Sequence, residues 1–308
     1  MEGYETVENF NEIINVVNKA MPLVQSGIPA LVGGFVTAMF LRGNTERVEF
    51  EKIKAGKIGE ALDDLVKSRE LTLTELVKCK NILDIAKLAD EEFAKNIDEN
   101  EQLNDQEKIF DFDWFLRFFE SAGCISDKDM QLLWARILAG ETGGKKHFSL
   151  RTIETLKNFS KEDCVALQNI TPFIIYISKD FQCLWDDIDY SSQYMKKDEL
   201  LTLYDLDIIS TNYNIIRPTK EESPRNFMSM NEFGLVEHSC EHDYKVTVSA
   251  FTLVGRELLS IVNRKTNHQI ELDLLRKIKQ NYPKLDLRIH KIVEYTSEGE
   301  VIYDSEFL

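Results

Sequence analysis

The N-terminal part of the chain, residues 1–44, predicts an amphipathic helix followed by an apolar segment. Apolar side chains recur every three or four positions over residues 5–20, as they do on one face of a helix. Residues 21–41 then carry no charged side chain, and this length is close to the roughly 20 residues that cross a membrane. Pro22 and Pro29 interrupt the segment, which weakens the case for a continuous membrane helix.

Two structures remain open for this apolar segment. Acidic residues precede it and basic residues follow it, so insertion would leave the C-terminal part of the chain in the cytoplasm. The alternative is a hairpin that is buried in the protein or packs against a second subunit. The side chains expected to contact lipid or another subunit are Leu23, Val24, Ile28, Leu31, Val32, Phe35, Val36, Met39, Phe40 and Leu41.

Residues 45–107 predict a pair of helices and a linker. The first helix covers residues 45–68, and Thr74 caps a second helix that runs to about Lys95. The stretch 96–107 is acidic and polar, which is typical of a boundary between domains.

Residues 108–178 predict a central helical bundle with an aromatic core. Trp114, Phe118 and Trp134 recur at helical spacings, and Gly123 ends the first helix of the bundle. Each further helix begins at a polar residue that can accept a hydrogen bond from the first turn. The expected N-caps are Asp111 or Asp113, Ser126 with Asp129, Ser149, and Ser160 with Asp163.

Residues 179–308 predict a winged-helix-like α+β region. A helix begins near Asp198, residues 245–251 alternate like a strand, and Thr252 starts another helix. The elements expected after it are a helix around 269–281 and strands at 287–295 and 301–303. The expected fold class is therefore α+β and mainly α: N-terminal helices with a hydrophobic segment, a central helical bundle and this winged-helix-like part.

Composition and charge exclude several classes of protein. The chain has 308 residues and a formal net charge of -16, so a phosphate backbone would be repelled and we do not expect nucleic acid as a partner. Its five scattered cysteines are too few for a disulfide scaffold. The acidic N-terminus lacks the positive region of a signal peptide. These features predict a cytoplasmic protein, peripheral to or anchored in the inner membrane if the apolar segment inserts.

Several sequence motifs resemble those of a known family. They include DWFLRFFE from Asp113, LWARILAGE from Leu133 and FTLVGREL from Phe251. Over roughly residues 70–262 the chain resembles an uncharacterised bacterial family, domain of unknown function 2806. The central helices with their variable loop are also similar, more loosely, to the Abi-alpha group of abortive-infection proteins. These resemblances imply a bacterial or prophage origin and phage defence, and they imply no catalytic residues.

Two sets of side chains are candidates for a metal site. His238, Cys240 and His242 alternate along the chain, so a strand would point all three to one side, where they could hold zinc. A polar hairpin edge is favoured instead, because no fourth ligand or second cluster is visible, and we expect no metal and no cofactor. The oxygen ligands that magnesium would require could come from Asp180, Asp186, Asp187 and Asp189, although such an acidic run is usually solvated surface.

The polar side chains of the central bundle are candidates for an interaction surface. The favoured alternative is that they brace adjacent helices through arginine–carboxylate pairs. The set comprises Arg117, Glu120, Gln131, Arg136, Glu141 and Arg151.

The expected function is that of a non-enzymatic bacterial phage-defence or prophage protein. It would act through protein–protein interaction, with oligomerisation or membrane contact through residues 1–44. The expected partner is a protein: a second copy of the chain, or a phage or host protein. Two alternatives from other classes remain open, namely a winged-helix-like regulatory protein and a metal-dependent hydrolase or nuclease.

Overall fold

The computed structural model describes the chain from residue 73 onward, with gaps. The described residues are 73–95, 112–142, 146–178, 181–185, 196–210, 213–217, 224–239, 244–296 and 300–307. They divide into two compact units at the Ile153–Glu154 bond. The predictions for residues 1–68, the apolar segment 21–41 among them, lie outside the described residues.

The described part of the first unit is helical. Helix α1 spans Leu73–Lys95, α2 spans Phe112–Ala122 and α3 spans Lys128–Thr142. Helix α4, Leu150–Lys157, crosses the division between the two units. α1 packs along α3, and α2 also contacts α1. The predicted ends of α1 at Lys95 and of α2 at Gly123 are confirmed.

Aromatic rings connect α2 and α3 in the core of this unit. Trp114 stacks on Phe118 with ring centroids 5.2 Å apart, and Phe118 meets the edge of Trp134 at the same centroid distance. All three side chains are buried. The indole nitrogen of Trp114 donates a hydrogen bond of 2.7 Å to the carbonyl oxygen of Phe148, which satisfies a polar group that burial would otherwise leave without water.

Of the predicted helix caps, one is confirmed as a full capping box and two are wrong, while Asp111 lies outside the described residues. The hydroxyl of Ser160 accepts a hydrogen bond from the Asp163 amide, and the Asp163 carboxylate accepts one from the Ser160 amide, so the predicted capping box is confirmed. The Ser126 prediction is wrong, because Asp127 accepts hydrogen bonds from the amides of residues 129 and 130. Thr74 lies inside α1 rather than before it.

The second unit combines helices with an antiparallel sheet. Its further helices are α5 Lys161–Ile170, α6 Lys197–Asp205, α7 Leu253–Leu259 and α8 His268–Asn281. A short 3-10 helix, Thr171–Phe173, follows α5. The strands are β1 Ile174–Ser178, β2 Phe181–Trp185, β3 Tyr213–Arg217, β4 Arg225–Ser229, β5 Phe233–Ser239, β6 Tyr244–Ala250, β7 Asp286–Tyr295 and β8 Val301–Phe307.

These strands form one eight-stranded sheet in the order β3-β6-β2-β1-β4-β5-β7-β8, and every neighbouring pair is antiparallel. Helix α8 packs against β5 and β7. The first five residues of β5, Phe233–Glu237, are all buried, so this strand is covered on both faces. The sheet therefore places β5 and the first half of β7 in the interior of the unit and leaves β8 at one end of the strand order.

The mainly helical fold class with a winged-helix-like C-terminal part is wrong. Of the described residues, 53% are helical but 26% lie in strands, and all these strands belong to the second unit. A winged helix has only a small wing, whereas eight strands here form a continuous sheet. Buried strands are apolar on both faces, so their sequences do not alternate between apolar and polar residues. Short apolar runs such as 174–177 and 233–236 therefore did not identify themselves as strands.

Candidate functional site

The last two strands of the sheet expose apolar side chains. β8 is the last strand in the order of the described strands, and its neighbour there is β7. Val293 is 62% exposed, Tyr295 49% and Ile302 41%. Tyr295 pairs with Val301 and Ile302 pairs with Glu294, so Tyr295 and Ile302 lie on opposite faces, and Val293 lies at the register shift between Ile292 and Glu294. We call Val293, Tyr295 and Ile302 the outer apolar edge.

Hydrogen bonding and charge define what this edge can bind. The hydroxyl of Tyr295 donates a 3.0 Å hydrogen bond to the Met230 carbonyl oxygen, which holds the ring in place, and burial raises the pKa of that hydroxyl. Glu294, Glu300 and Asp304 are exposed around it. An edge strand with an exposed apolar side chain, apolar residues on the next strand and acidic neighbours suits an extended segment of another protein that carries basic residues.

A tyrosine of β8 ties the outer edge to the middle of the sheet. A side chain at Gly234 of β5 would place its Cβ 2.4 Å from the hydroxyl oxygen of Tyr303, so only glycine leaves room for this ring. The same hydroxyl donates a 2.6 Å hydrogen bond to the side-chain oxygen of Asn226 on β4. Burial raises the pKa of Tyr303 well above its ordinary value. Tyr303 thereby anchors β8 across two other strands.

Two histidines meet beside this tyrosine, and we call them the imidazole pair. His238 lies on β5 and His290 on β7, and their Nε2 atoms are 3.2 Å apart. The rings are inclined by 21° with centroids 5.4 Å apart. His290 is buried and its Nδ1 lies 2.8 Å from the carbonyl oxygen of Asp304, whereas His238 is half-buried. The pair therefore has one buried and one accessible member.

An ion pair on β7 lies near the imidazole pair. The guanidinium of Arg288 donates two hydrogen bonds to the Asp286 carboxylate, at 2.8 and 3.2 Å. These bonds lower the pKa of Asp286. Burial, the charge of Arg288 and the charge of His290 lower the pKa of His238. The environment of His238 therefore favours its neutral imidazole, whose nitrogen lone pair can accept a hydrogen bond or bind a metal.

A second ion pair is buried in the sheet itself. Glu237 of β5 is 2% exposed, and Arg225 of β4 donates to both its carboxylate oxygens, each at 3.0 Å. The hydroxyl of Tyr244 on β6 donates to the same carboxylate. The Glu237 carboxylate raises the pKa of Arg225. Because these partners belong to strands of one sheet, the arrangement neutralises a buried charge and holds the strands together.

The predicted metal ligands have different outcomes. His238 is described, and the structure brings it to His290, which the sequence analysis missed because it lies 52 residues away. Cys240 and His242 lie outside the described residues. The aspartates at 180, 186, 187 and 189 lie outside them too. Among the described residues, no group of three or more His, Cys, Asp or Glu side chains could hold a metal ion.

The six polar candidates of the central helices fall into two sets. Gln131 is buried and donates to the Ile125 carbonyl oxygen, Arg136 pairs with Glu92 at 2.9 Å, and Glu141 accepts from the Phe148 amide. These three residues hold the unit together. The exposed set comprises Arg117, Glu120 and Arg151. The structure does not gather the six residues into one surface patch, and an interaction role for the exposed set stays a prediction.

The ten apolar residues expected to contact lipid or another subunit, from Leu23 to Leu41, lie outside the described residues. Within the described parts of the chain, no helix has the length and apolar character that a membrane crossing requires.

Comparison with known proteins places the motifs in a family. A family model described as "Protein of unknown function (DUF2806)" matches residues 64–274. This match covers more than half of the chain and confirms the resemblance drawn from its motifs. The looser resemblance to the Abi-alpha group stays a prediction. No curated protein and no solved structure matches the chain.

Proposed function

The chain belongs to the DUF2806 family of proteins of unknown function, and we propose that it acts by binding another protein rather than by catalysing a reaction. The outer apolar edge is the observation that carries this proposal. Three large apolar side chains, exposed by 41% to 62%, stand on the last two strands of the sheet order. Isolated exposed apolar residues are common on protein surfaces. Here Ile302 lies on the last described strand of the sheet, and Val293 and Tyr295 lie on its neighbour, so a partner strand beside β8 would gain backbone hydrogen bonds and apolar contact together.

The chemistry of β8 favours a partner other than a second copy at this edge. A fully aligned antiparallel pair of two β8 strands, 301–307, would place Asp304 directly opposite Asp304. Like charges in that position destabilise a strand pair. The chain also has a net charge of -16, so a partner segment with basic side chains gains electrostatic attraction where a second copy is repelled. The proposed occupant is therefore an extended, basic segment of a phage or host protein.

The biological setting that we propose is defence against phage. It is supported by the looser resemblance of the central helices to abortive-infection proteins. In this scheme the N-terminal segment, with its 21 uncharged residues, brings copies of the chain together or to the inner membrane, and the outer apolar edge binds the partner. A hydrolase or nuclease role is less well supported, because the described residues contain no group of three metal-ligating side chains.

The test compares two double variants of the full chain in a phage challenge of bacteria that express it. The edge variant carries Val293→Ser and Ile302→Ser. The control carries Val165→Ser on α5 and Leu201→Ser on α6, two residues that are exposed by 42% and 47% away from the edge. We expect the edge variant to lose protection and the control to keep it, because a loss of about 1.4 kcal/mol in binding already weakens a complex tenfold.

A photo-crosslinking amino acid at position 302 or 201 provides a binding readout in the same cells. We expect position 302 to yield one discrete adduct during infection, identified by mass spectrometry, and Val293→Ser to abolish that adduct. Equal protection by the wild type and the edge variant, with both folded to the same melting temperature, would contradict the proposal.

A further inference from the structure

The protonation state of one histidine follows from its hydrogen-bond partner. Nδ1 of His290 lies 2.8 Å from the backbone carbonyl oxygen of Asp304. A carbonyl oxygen can only accept, so the hydrogen must be on Nδ1. In the neutral imidazole, Nε2 of His290 therefore carries a lone pair, and this lone pair faces Nε2 of His238 at 3.2 Å. The arrangement requires either a hydrogen or a cation between the two nitrogens.

The distance between the two nitrogens fits a shared metal ion. Histidine nitrogens bind zinc at about 2.0–2.1 Å in a tetrahedral arrangement, which separates two such ligands by about 3.3 Å. Metal-binding histidines commonly donate their other ring N–H to a carbonyl or carboxylate, and this bond fixes the tautomer and the orientation of the ring. The bond from His290 to Asp304 has this form.

We propose that His238 and His290 bind one divalent transition-metal ion of the zinc type. Imidazole nitrogen is a preferred ligand of zinc, copper and nickel, whereas magnesium and calcium prefer oxygen. His238 is only half-buried, so an ion can reach the pair from solvent. This site does not depend on the partner-binding proposal, because its ligands lie on β5 and β7 and exclude the residues of the outer apolar edge.

The charges around the pair permit a cation. The charge of Arg288 lowers the pKa of His238, but the Arg288 guanidinium is paired with both oxygens of the Asp286 carboxylate. This pairing reduces the repulsion of an incoming cation. Since no third His, Cys, Asp or Glu completes a group among the described residues, water supplies the remaining positions around the ion.

A direct hydrogen bond is the competing explanation for the same geometry. If His238 carries its hydrogen on Nε2, it can donate to Nε2 of His290 without any metal. The distance of 3.2 Å is at the long end of the range for N–H donors, so it does not favour the hydrogen bond over the ion. The two explanations differ in one measurable respect, because only the metal site takes up zinc in a fixed ratio.

The test measures zinc binding to the full-length protein by competition with a chromophoric chelator. We expect one zinc ion per chain to bind in a saturable manner, an affinity at least tenfold lower in His238→Asn and in His290→Gln, and no change in His268→Ala or His147→Ala. The last two variants are matched controls, because these histidines lie outside the pair and contact Glu232 and Glu141 instead. Zinc should also raise the melting temperature of the wild type and not that of His238→Asn.

Nitrogen-15 NMR of the wild type tests the site even if the His290→Gln variant does not fold. In the wild type, zinc should shift the nitrogen-15 NMR signal of His290 Nε2 and leave its Nδ1 protonated. Cys240→Ala and His242→Ala control for zinc bound elsewhere, and we expect neither variant to change the zinc binding that depends on His238 and His290. The proposal is overturned if the wild type takes up no zinc in a saturable manner, or if its binding survives the loss of His238 and depends only on Cys240 and His242.

Discussion

At the scale of single residues, the glycine of the FTLVGREL motif, Gly255, is required because no side chain fits at this position. A Cβ at this position would lie 2.2 Å from the backbone oxygen of Ile208, which is inside van der Waals contact with an atom that cannot rotate away. Thr252, three residues earlier, accepts a hydrogen bond from the Gly255 amide and donates one to the Asp207 oxygen. Asp207 itself adopts a left-handed backbone with φ of 54°. The motif therefore joins the start of α7 to the chain after α6.

Gly255→Ala should destabilise the second unit by about 2–3 kcal/mol, the upper range for inserting atoms into a packed site. The measurement is the midpoint of urea unfolding of the full chain. Gly123→Ala is the control, because the nearest atoms to its Cβ would be 3.3 Å or more away and the expected change is smaller. Equal urea midpoints for Gly255→Ala and the wild type would contradict this prediction, because they would show that the backbone around Ile208 shifts without loss of stability.

At the scale of elements, the contact between α1 and α3 combines apolar packing with ion pairs. Glu92 of α1 accepts hydrogen bonds from Arg136 of α3 at 2.9 Å and from Lys95 at 2.7 Å. Burial raises the pKa of Glu92, but these two bonds outweigh it, so the pKa lies below its ordinary value of 4.5. Asn81 of α1 also donates to the Gly123 oxygen after α2. Polar contacts thus add to the apolar packing between these helices.

The stability of the first unit should depend on Glu92 in a pH-dependent way. Because the folded pKa is lower than the unfolded one, the carboxylate stabilises the fold above pH 4.5, and this contribution is lost as the pH falls through the folded pKa. Glu92→Gln should therefore lower the free energy of unfolding by about 1–2 kcal/mol at pH 7, the scale of a hydrogen bond to a charged group.

At acid pH the variant and the wild type should converge. The exposed neighbour Glu91 provides the control, since Glu91→Gln leaves the bonds to Arg136 and Lys95 intact. Urea unfolding between pH 3 and 7 measures the difference. If the difference in the free energy of unfolding between Glu92→Gln and the wild type were constant across this range, the charge of Glu92 would not contribute to stability.

Elements differed in how well the sequence predicted them. The ends of α1 and α2 and the cap of α5 were correct, as was the start of α7 at Thr252, where the side chain accepts from the Gly255 amide. The strands β6, β7 and β8 were also anticipated, whereas β1 to β4 were not. A helix cap is decided by atoms within four residues, but a short buried strand is recognised only when its neighbours in the sheet are known.

At the scale of the whole chain, the sheet decides which strands can meet a partner. The order β3-β6-β2-β1-β4-β5-β7-β8 puts the C-terminal strand at one end and leaves the outer apolar edge there. It also brings β5 and β7 side by side, which creates the imidazole pair. Both proposals therefore depend on strand order rather than on any single motif.

Removal of residues 1–42 tests the proposed role of the N-terminal segment. We expect the full chain to sediment with the membrane fraction or as an oligomer, and the truncated chain to be a monomer in solution that no longer protects against phage. The reason is that residues 21–41 carry no charged side chain and are mostly apolar in sequence, so their exposure to water is unfavourable. Cell fractionation and analytical ultracentrifugation measure the first outcome. A full chain that is monomeric and soluble, and a truncated chain that protects equally, would contradict this role.

The sequence by itself determined the helices of the first unit, the capping box at Ser160 and Asp163, and the family to which the chain belongs. These features depend on residues close together along the chain, so their pattern is visible before folding. Only the tertiary structure decided the eight-stranded sheet, the pairing of Arg225 with Glu237 and the meeting of His238 with His290. The physical reason is that strands pair through backbone groups that every sequence carries, so the partner of a strand is selected by packing across the whole unit.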